Sequence, residues 1–501
     1  RALQSLKPCF MMGPLSVAQY LTPGALKFDL IVMDEASQLR PEDALGAISR
    51  GTQLVIVGDR MQLPPTSFFD RIGDDSDESD DNAGAVTEAE SILDIASATY
   101  KPSRMLRWHY RSRHGSLIAF SNQEFYKGRL VVFPSPVPVS ATHGVKLIHV
   151  RDGAYERSRN ITEARRVVST AVRFMERRPT ESLGIVAMNV AQRDLIEDLF
   201  EAAVKRSDTA QRYVDERRDG LEPFFVKNLE NVQGDERDVI YISNTYGRSP
   251  GGQVYQRFGP INGPSGHRRL NVLFTRARNR VVLFSSMLAE DIIAEPSSSW
   301  GVRAFKGYLH FAQTGILETA SFSGREPDSD FEVEVADALR GRGYEVVAQV
   351  GVAGYFIDLA IRHPGKPDAF LLGIECDGAT YHSGLSARDR DRLRQQVLEG
   401  LGWNIHRIWS TDWFKQPKVE VDRVVSRIKI ILQAEAASTT VFSETDSADS
   451  ETAPEVAAGS GATESAWEGE VAAQPMSEGE AREELARLAA DERLKLTRAD
   501  R

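Results

Sequence analysis

The chain has 501 residues, with 61 Lys and Arg against 72 Asp and Glu and a formal net charge of −11 at pH 7. A single core seldom grows past roughly 250 to 300 residues, so two or three domains are expected. No apolar run approaches the roughly 18 residues of a membrane helix, and two distant cysteines with nine scattered histidines form neither a disulfide framework nor a zinc-finger spacing, so a reducing, cytoplasmic location is expected.

A negative sum argues against nucleic acid only if the charge is evenly spread, and here it is not. Residues 434–501 carry sixteen Asp and Glu against six Lys and Arg, and Asp70–Glu90 carries nine against one, which leaves about +7 on the remaining chain. A mildly basic body with acidic appendages is compatible with a phosphate backbone as partner.

In chain order, the first strand is expected over Phe28–Met33, ending in Asp34-Glu35-Ala36-Ser37-Gln38. Two adjacent acids at the C-terminal edge of a parallel strand lie where such sheets build sites: the first can hold Mg²⁺ through water and the second can accept a proton from attacking water. Charged residues also end strands for no chemical reason, so this pair alone decides little. A second strand, Gln53–Val57, runs into Gly58-Asp59 and Gln62-Leu63-Pro64-Pro65, whose prolines stiffen the loop behind Gln62. The run DDSDESDD at Asp74–Asp81 has no apolar residue and reads as a disordered insertion. Strands follow at Leu183–Ala187, Asp238–Ser243 and Arg280–Phe284, the second preceded by Asn231-Val232-Gln233-Gly234-Asp235-Glu236 and the third by Asn271–Arg278. Alternating strands and helices predict a doubly wound α/β fold. Arginines in the last cluster suit the charge on a transferred phosphoryl group.

A second α/β unit is expected over about Ser329–Leu432: a helix at Phe331–Gly341, strands at Tyr344–Gln349, Phe356–Ile361 and Phe370–Cys376, a helix at Ala387–Leu401 and a strand at Asn404–Trp409. Asp358, Glu375 and Asp377 sit inside apolar strand segments, where buried carboxylates are costly unless paired or bound to metal. Glu375 and Asp377 share a face by strand periodicity, and a neighbouring strand can bring Asp358 beside them, making a hard oxygen site suited to Mg²⁺ or Mn²⁺. Acids at sheet edges are the plainer alternative.

In order, DEASQ at Asp34–Gln38, VGDRMQLPP at Val57–Pro65, LRWHYRSRHG at Leu106–Gly115, NVAQRDLI at Asn189–Ile196, VQGDERDVIYIS at Val232–Ser243 and NVLFTRAR at Asn271–Arg278 resemble the motifs of superfamily 1 helicases, in the branch of the nonsense-decay helicase and the Dna-two nuclease-helicase. The resemblance spans about Arg1–Ser286. It implies ATP as substrate, Mg²⁺ on Asp34, water activation by Glu35, γ-phosphate sensing by Gln62 and arginine fingers at Arg111 and Arg276. It also implies nucleotide contacts by Gln38, Gly234 and Glu236 and base stacking by Tyr110. Three departures stand out. His109 occupies a usual Gln, Glu230 stands nearest a usual Asp, and G-x-x-x-x-G-K-[ST] is missing, the one Gly-Lys pair being Gly365-Lys366. The phosphate-cradling loop is expected upstream of Arg1, so these 501 residues alone are expected to lack ATPase activity. Met12–Ser16 lies where the family binds the strand, and also reads as an ordinary loop.

Glu332 on a helix, Asp358, Glu375-x-Asp377-Gly, His382, an Arg- and Gln-rich helix and a strand ending in Trp409 resemble the very-short-patch-repair-like endonucleases of the PD-(D/E)xK superfamily, over roughly Ser329–Phe414. The resemblance implies catalysis by Glu332, Asp358, Glu375, Asp377 and His382, with metal on Asp358, Glu375 and Asp377. His382 is equally a base, a ligand or a satisfied loop histidine. Asp377 stands where many relatives have Lys, so a positive group is expected from the helix of Arg388, Arg392 and Gln395, or the site leans more on metal.

The expected division is 1–104 as the C-terminal part of RecA-like domain 1 with the acidic insertion 70–90, 105–316 as RecA-like domain 2, and 325–433 as a restriction-endonuclease-like domain able to fold alone. An acidic linker at 434–477 and a charged helix at 478–501 follow. The expected function is an ATP-driven DNA helicase coupled to a metal-dependent DNA endonuclease, by resemblance of the bacterial phage-defence type. The alternatives are an RNA or RNP-remodelling helicase whose nuclease-like domain only binds, and a non-catalytic interaction protein. No membrane partner is expected, and the sequence leaves the oligomeric state open.

Overall fold

The computed structural model describes residues 4, 6–65, 91–140, 142–317, 326–352, 355–377 and 385–443. The acidic insertion, His382 and the tail beyond 443 lie outside them.

β1 (Phe28–Met33) and β2 (Gly51–Ile56) pair in parallel, Phe28 opposite Gly51 and Met33 opposite Ile56. The helix that joins them, Pro41–Ile48, starts with proline at its first turn and carries Glu42 and Asp43 there, next to the partial positive charge of its N-terminus. A capping box between Ser91 and Asp94 starts the helix Ile92–Thr99. β3 (Trp108–His109) and β4 (Val131–Val132) form a small parallel pair of their own.

The main sheet of the motor half is all parallel. β5 (Gly144–His149), β6 (Leu183–Ala187), β7 (Phe225–Asn228), β8 (Arg237–Ser243) and β9 (Ala277–Ser285) lie in the order β5-β9-β8-β6-β7. Period-two alternation divides their side chains between two cores. Val186, Ile240, Ile242, Val281 and Leu283 pack against helices Gly266–Phe274 and Trp300–Thr314. Ile185, Tyr241, Val282 and Phe284 pack against helices Ile161–Arg177, Val190–Val204 and Asp208–Arg217. A sheet covered on both faces explains why β6 is buried at every position. This is the doubly wound, RecA-like architecture expected, with β5 and β7 added to the strands foreseen.

The C-terminal sheet has a different build. After the helix Asp330–Arg340, β10 (Val346–Val352), β11 (Tyr355–His363) and β12 (Lys366–Asp377) form an antiparallel meander. The helix Leu385–Gly400 then returns the chain so that β13 (Ile405–Trp409) lies parallel to β12. A long helix, Pro417–Ser443, covers one face through Val424 and Ile428. It runs on past Ala434, where composition had suggested a linker, and Ala434-Glu435-Ala436-Ala437 is strong helix-forming sequence. The other face carries Ile357, Ala360, Leu398, Trp403 and Ile405, and its core includes Phe133 from the motor half. Two further bonds cross there: the Trp403 indole donates to the Pro134 carbonyl at 2.8 Å and the Phe370 amide to that of Pro136 at 2.8 Å. The C-terminal unit therefore shares a core with the motor half.

Candidate active sites

The chain turns sharply after β1. Glu35 takes a left-handed conformation (φ 51°), its amide bonding Asp34 Oδ1 at 2.9 Å, while Gln38 Nε2 donates to Glu35 Oε2 at 3.1 Å. The turn lies against the end of β2, the Ala36 amide donating to the Val57 carbonyl at 2.9 Å. Gly58 permits this contact, since a Cβ there would stand 2.9 Å from the Ser37 amide nitrogen. Asp34, Glu35 and Gln38 are left exposed on one rim.

On the facing side, Arg111 pairs with Glu236 at 2.7 Å. Arg276 is only 4% exposed, and burial, with the charge of Arg111, lowers its pKa to about 10; Glu35 and Glu236 oppose that shift. The structure thus brings Glu35, Arg111, Arg276 and Glu236 within electrostatic reach. Gly234 makes the preceding turn at φ 85°, with no atom close to a Cβ position, so its backbone conformation and not crowding explains the residue. His109 accepts from the Ser112 amide at 3.2 Å, and burial followed by Arg111 lowers its pKa to about 4, so it is neutral at pH 7. Its neighbour Tyr110 is 74% exposed, in keeping with stacking on a base.

Sequence reasoning missed the link behind Gln62. Gln62 Nε2 donates to Asp59 Oδ2 at 3.1 Å, and the Tyr126 hydroxyl donates to the same oxygen at 2.5 Å. Asn271 Nδ2 donates both to the Tyr126 oxygen and to the Met61 carbonyl, each at 2.8 Å. Asn271 was visible as the first residue of its motif. Tyr126 gave no signal.

In the C-terminal sheet the antiparallel registers line up a row of polar side chains. Val350 opposite Ile357 sets Gln349 beside Asp358, and Leu359 opposite Ile374 sets Asp358 beside Glu375, which itself faces Arg407. Buried Glu332 anchors the row from its helix: its carboxylate accepts from Ser329 Oγ at 2.9 Å, the Asp328 amide at 2.9 Å and Gln349 Nε2 at 2.8 Å. Asp358 Oδ2 accepts from the Cys376 amide at 2.7 Å, and Glu375 Oε1 from the Tyr355 hydroxyl at 2.8 Å. Burial, reinforced by Glu375, pushes the Asp358 pKa up to about 8; burial raises Glu375 as well, against the Tyr355 hydrogen bond and Arg407.

Asp358 and Glu375 are brought together, whereas Asp377 is drawn to Arg407 at 3.0 Å. Among the described residues no three His, Cys, Asp or Glu side chains gather closely enough to hold a metal ion, so the three-carboxylate convergence expected for Asp358, Glu375 and Asp377 is reduced to a pair. The donors still fit a hard divalent cation in kind: oxygen ligands whose negative charge is held off by burial are what such an ion would relieve. The positive groups near Glu375 are Arg394, which comes from the helix expected to supply one, and Arg407, which was not among those expected.

Residues 15–69 and 89–287 match two families described as AAA domain, and residues 331–428 match the family REase_MTES_1575. The chain is 31% identical to an uncharacterized ATP-dependent helicase of Mycoplasma genitalium, over 85% of this chain and 39% of that one. It is 25% identical to an uncharacterized ATP-dependent helicase of Methanocaldococcus jannaschii, over 55% of this chain and 38% of that one. It is 24% identical to the DNA replication ATP-dependent helicase/nuclease of Schizosaccharomyces pombe, over 52% of this chain and 19% of that one. The chain spans less than two fifths of each of these relatives. With these matches, the ordered motifs and the parallel sheet, the motor region is similar to Dna2-like superfamily 1 helicases, and the region after it matches a restriction-endonuclease-like family.

Proposed function

We propose that this chain works in an ATP-driven DNA helicase or translocase and, in the same polypeptide, as a metal-dependent DNA endonuclease, in bacterial defence against phage or foreign DNA. The observation that carries the endonuclease reading is the row Glu332, Gln349, Asp358 and Glu375, with two carboxyl groups kept side by side at a protonation cost.

In the motor, Asp34 would hold Mg²⁺ and Glu35 would take the proton of the attacking water. Gln62 meets the γ-phosphate, Arg111 and Arg276 face the charge that develops on it, and Gln38, Gly234 and Glu236 contact the nucleotide. The Arg111–Glu236 pair makes this a shared duty: turning Glu236 toward a ribose frees Arg111 for phosphate.

In the second site, Asp358 and Glu375 would hold Mg²⁺ or Mn²⁺, and the resemblance adds Asp377 and His382 as candidate contributors. Bound metal supplies a more acidic water and stabilises charge on the phosphodiester. Glu332 fixes Gln349 against Asp358, Tyr355 holds Glu375, and Arg407 with Arg394 places positive charge where relatives carry Lys.

The test compares nicking of plasmid DNA and of RNA by the 501-residue chain, with Mg²⁺, with Mn²⁺ and with a chelator. DNA cleavage that the chelator stops is expected. Cleavage of neither substrate would remove the endonuclease assignment and leave an RNA or RNP-remodelling helicase with a binding-only domain.

A further inference from the structure

Tyr355 occupies an unusual position: it begins β11 in the C-terminal sheet, yet one of its ring neighbours belongs to the motor. Its centroid lies 4.8 Å from that of Phe133, which in turn meets the edge of Trp108 at 5.7 Å. On another side the Arg394 guanidinium stands 5.3 Å from the Tyr355 ring centroid. Phe133 is 3% exposed and Tyr355 5%, so the contact is dry. At its far end the Tyr355 hydroxyl donates to Glu375 Oε1 at 2.8 Å. The two backbone carbonyls of Pro134 and Pro136 pin the same motor segment to Trp403 and Phe370, so the segment is fixed at three points. Trp108 is three residues from Arg111, the arginine paired with Glu236.

From this geometry we infer that Tyr355 is a positioning residue whose ring is clamped by motor residue Phe133, so that the metal-binding carboxylate Glu375 is correctly placed only while the nuclease sheet is docked on the motor. The inference rests on the endonuclease reading for its consequence and on packing for its substance. A phenol ring held on both sides loses the freedom to swing, and its hydroxyl then fixes one oxygen of the carboxylate that the strand register sets beside Asp358. Partners of this kind, one step behind a ligand, commonly alter metal affinity about 10- to 100-fold when removed. The arrangement also makes Glu375 responsive to the segment that carries Arg111, because any shift of Trp108 reaches it through two ring contacts.

The experiment measures Mn²⁺ binding to the whole chain by calorimetry and electron paramagnetic resonance, with Asp358→Ala defining the signal that belongs to this site. Tyr355→Phe keeps the ring and removes the hydroxyl; Phe133→Leu keeps an apolar filler and removes the ring contact; Phe133→Ala removes both. Tyr355→Phe and Phe133→Leu should each weaken the Asp358-dependent binding about tenfold, and the double variant should be no weaker than the worse single. In cleavage, kcat should fall while KM for DNA holds, and melting curves should show each variant folded. If Phe133→Ala fails to fold, Phe133→Leu carries the test. Wild-type affinity in both Phe133 variants, or additive losses in the double, would overturn the inference. Absence of Asp358-dependent Mn²⁺ binding in the wild type would overturn it together with the metal site. The expected binding pattern with no DNA cleavage at all would sink the endonuclease reading and leave the positioning role intact.

Discussion

The motor and the nuclease sheet place their acids in opposite ways. Asp34 and Glu35 stand just beyond a parallel strand, exposed, on a turn held against β2, with carboxylates bonded only within the turn itself. Asp358 and Glu375 sit within antiparallel strands, partly buried, side by side, with pKa values driven upward. The first arrangement leaves its acids open to a ligand, and in the proposed function it is completed by what binds between two domains; the second carries its electrostatic tension before anything binds. A strand end gives access and a strand interior gives a fixed spacing, and the two chemistries need those two things respectively.

That contrast breaks most visibly if the interior acids are dispensable. Asp358→Ala and Glu375→Ala should each lose nearly all metal-dependent nicking, on the order of a thousandfold, because the transition state loses a cation-binding group it cannot replace. Thermal melting should be kept or raised, since removing one acid relieves its neighbour. Retained nicking in both variants, once contaminating nuclease is excluded, would place the active centre elsewhere.

The tension itself has a pH signature. Asp358 binds its proton more tightly when folded, with a pKa near 8 against an ordinary 3.8. The folded state is therefore favoured below about pH 4, and that advantage is lost as pH rises through about 8. Glu163 behaves alike: it is buried among Ser243 and Thr245, each donating to it at 2.6 Å, and burial raises it to about 8. The two are separable. Saturating Mn²⁺ should recover the Asp358 part, on the order of a few kcal/mol between pH 5 and pH 8, whereas Glu163→Gln should remove the metal-insensitive part. Calorimetric melts at the two pH values, with and without Mn²⁺, check both, and a slope unchanged by metal or by Asp358→Asn would contradict the assignment.

A smaller effect is expected at Arg407, which pairs with Asp377 and favours ionised Glu375. Arg407→Ala should slow nicking about tenfold, and adding Asp377→Lys should restore part of it if the position needs only a positive charge. Restoration absent, with both proteins folded, would show that Arg407 serves packing alone.

Much of this was legible because motifs fall where periodicity is strong. β1 and β6 match their expected bounds, and the acids of β12 were placed on one face by alternation alone. β7 was not legible: Phe225-Val226-Lys227-Asn228 is four residues long and half polar, and its strand character comes from pairing with β6. Nor was Arg407, since the register that sets it opposite Glu375 depends on a crossover through the helix Leu385–Gly400. The shared core at Phe133 is the plainest case. Phe133-Pro134-Ser135-Pro136 reads as a loop, and nothing local states that its partner lies more than two hundred residues on.

The finest test concerns the open site of the motor. If that site is completed between domains, its sensor must feel the second domain before nucleotide arrives, and the structure offers one route: Gln62 to Asp59, Asp59 to Tyr126, Tyr126 to Asn271. Burial and the Asp59 carboxylate push the Tyr126 phenol well above its ordinary pKa, so it stays a donor at all accessible pH. Tyr126→Phe keeps the ring and removes one donor from Asp59 and one acceptor from Asn271. Since the Asn271 amide still reaches the Met61 carbonyl, the loss should be modest, about 1 kcal/mol in the urea midpoint of unfolding. Asn271→Ala severs both branches and should cost more than Tyr126→Phe, while the double variant should fall short of the sum because the pair shares one bond. Strict additivity would mean that the two residues act separately and that Gln62 is tied to the second domain by packing alone.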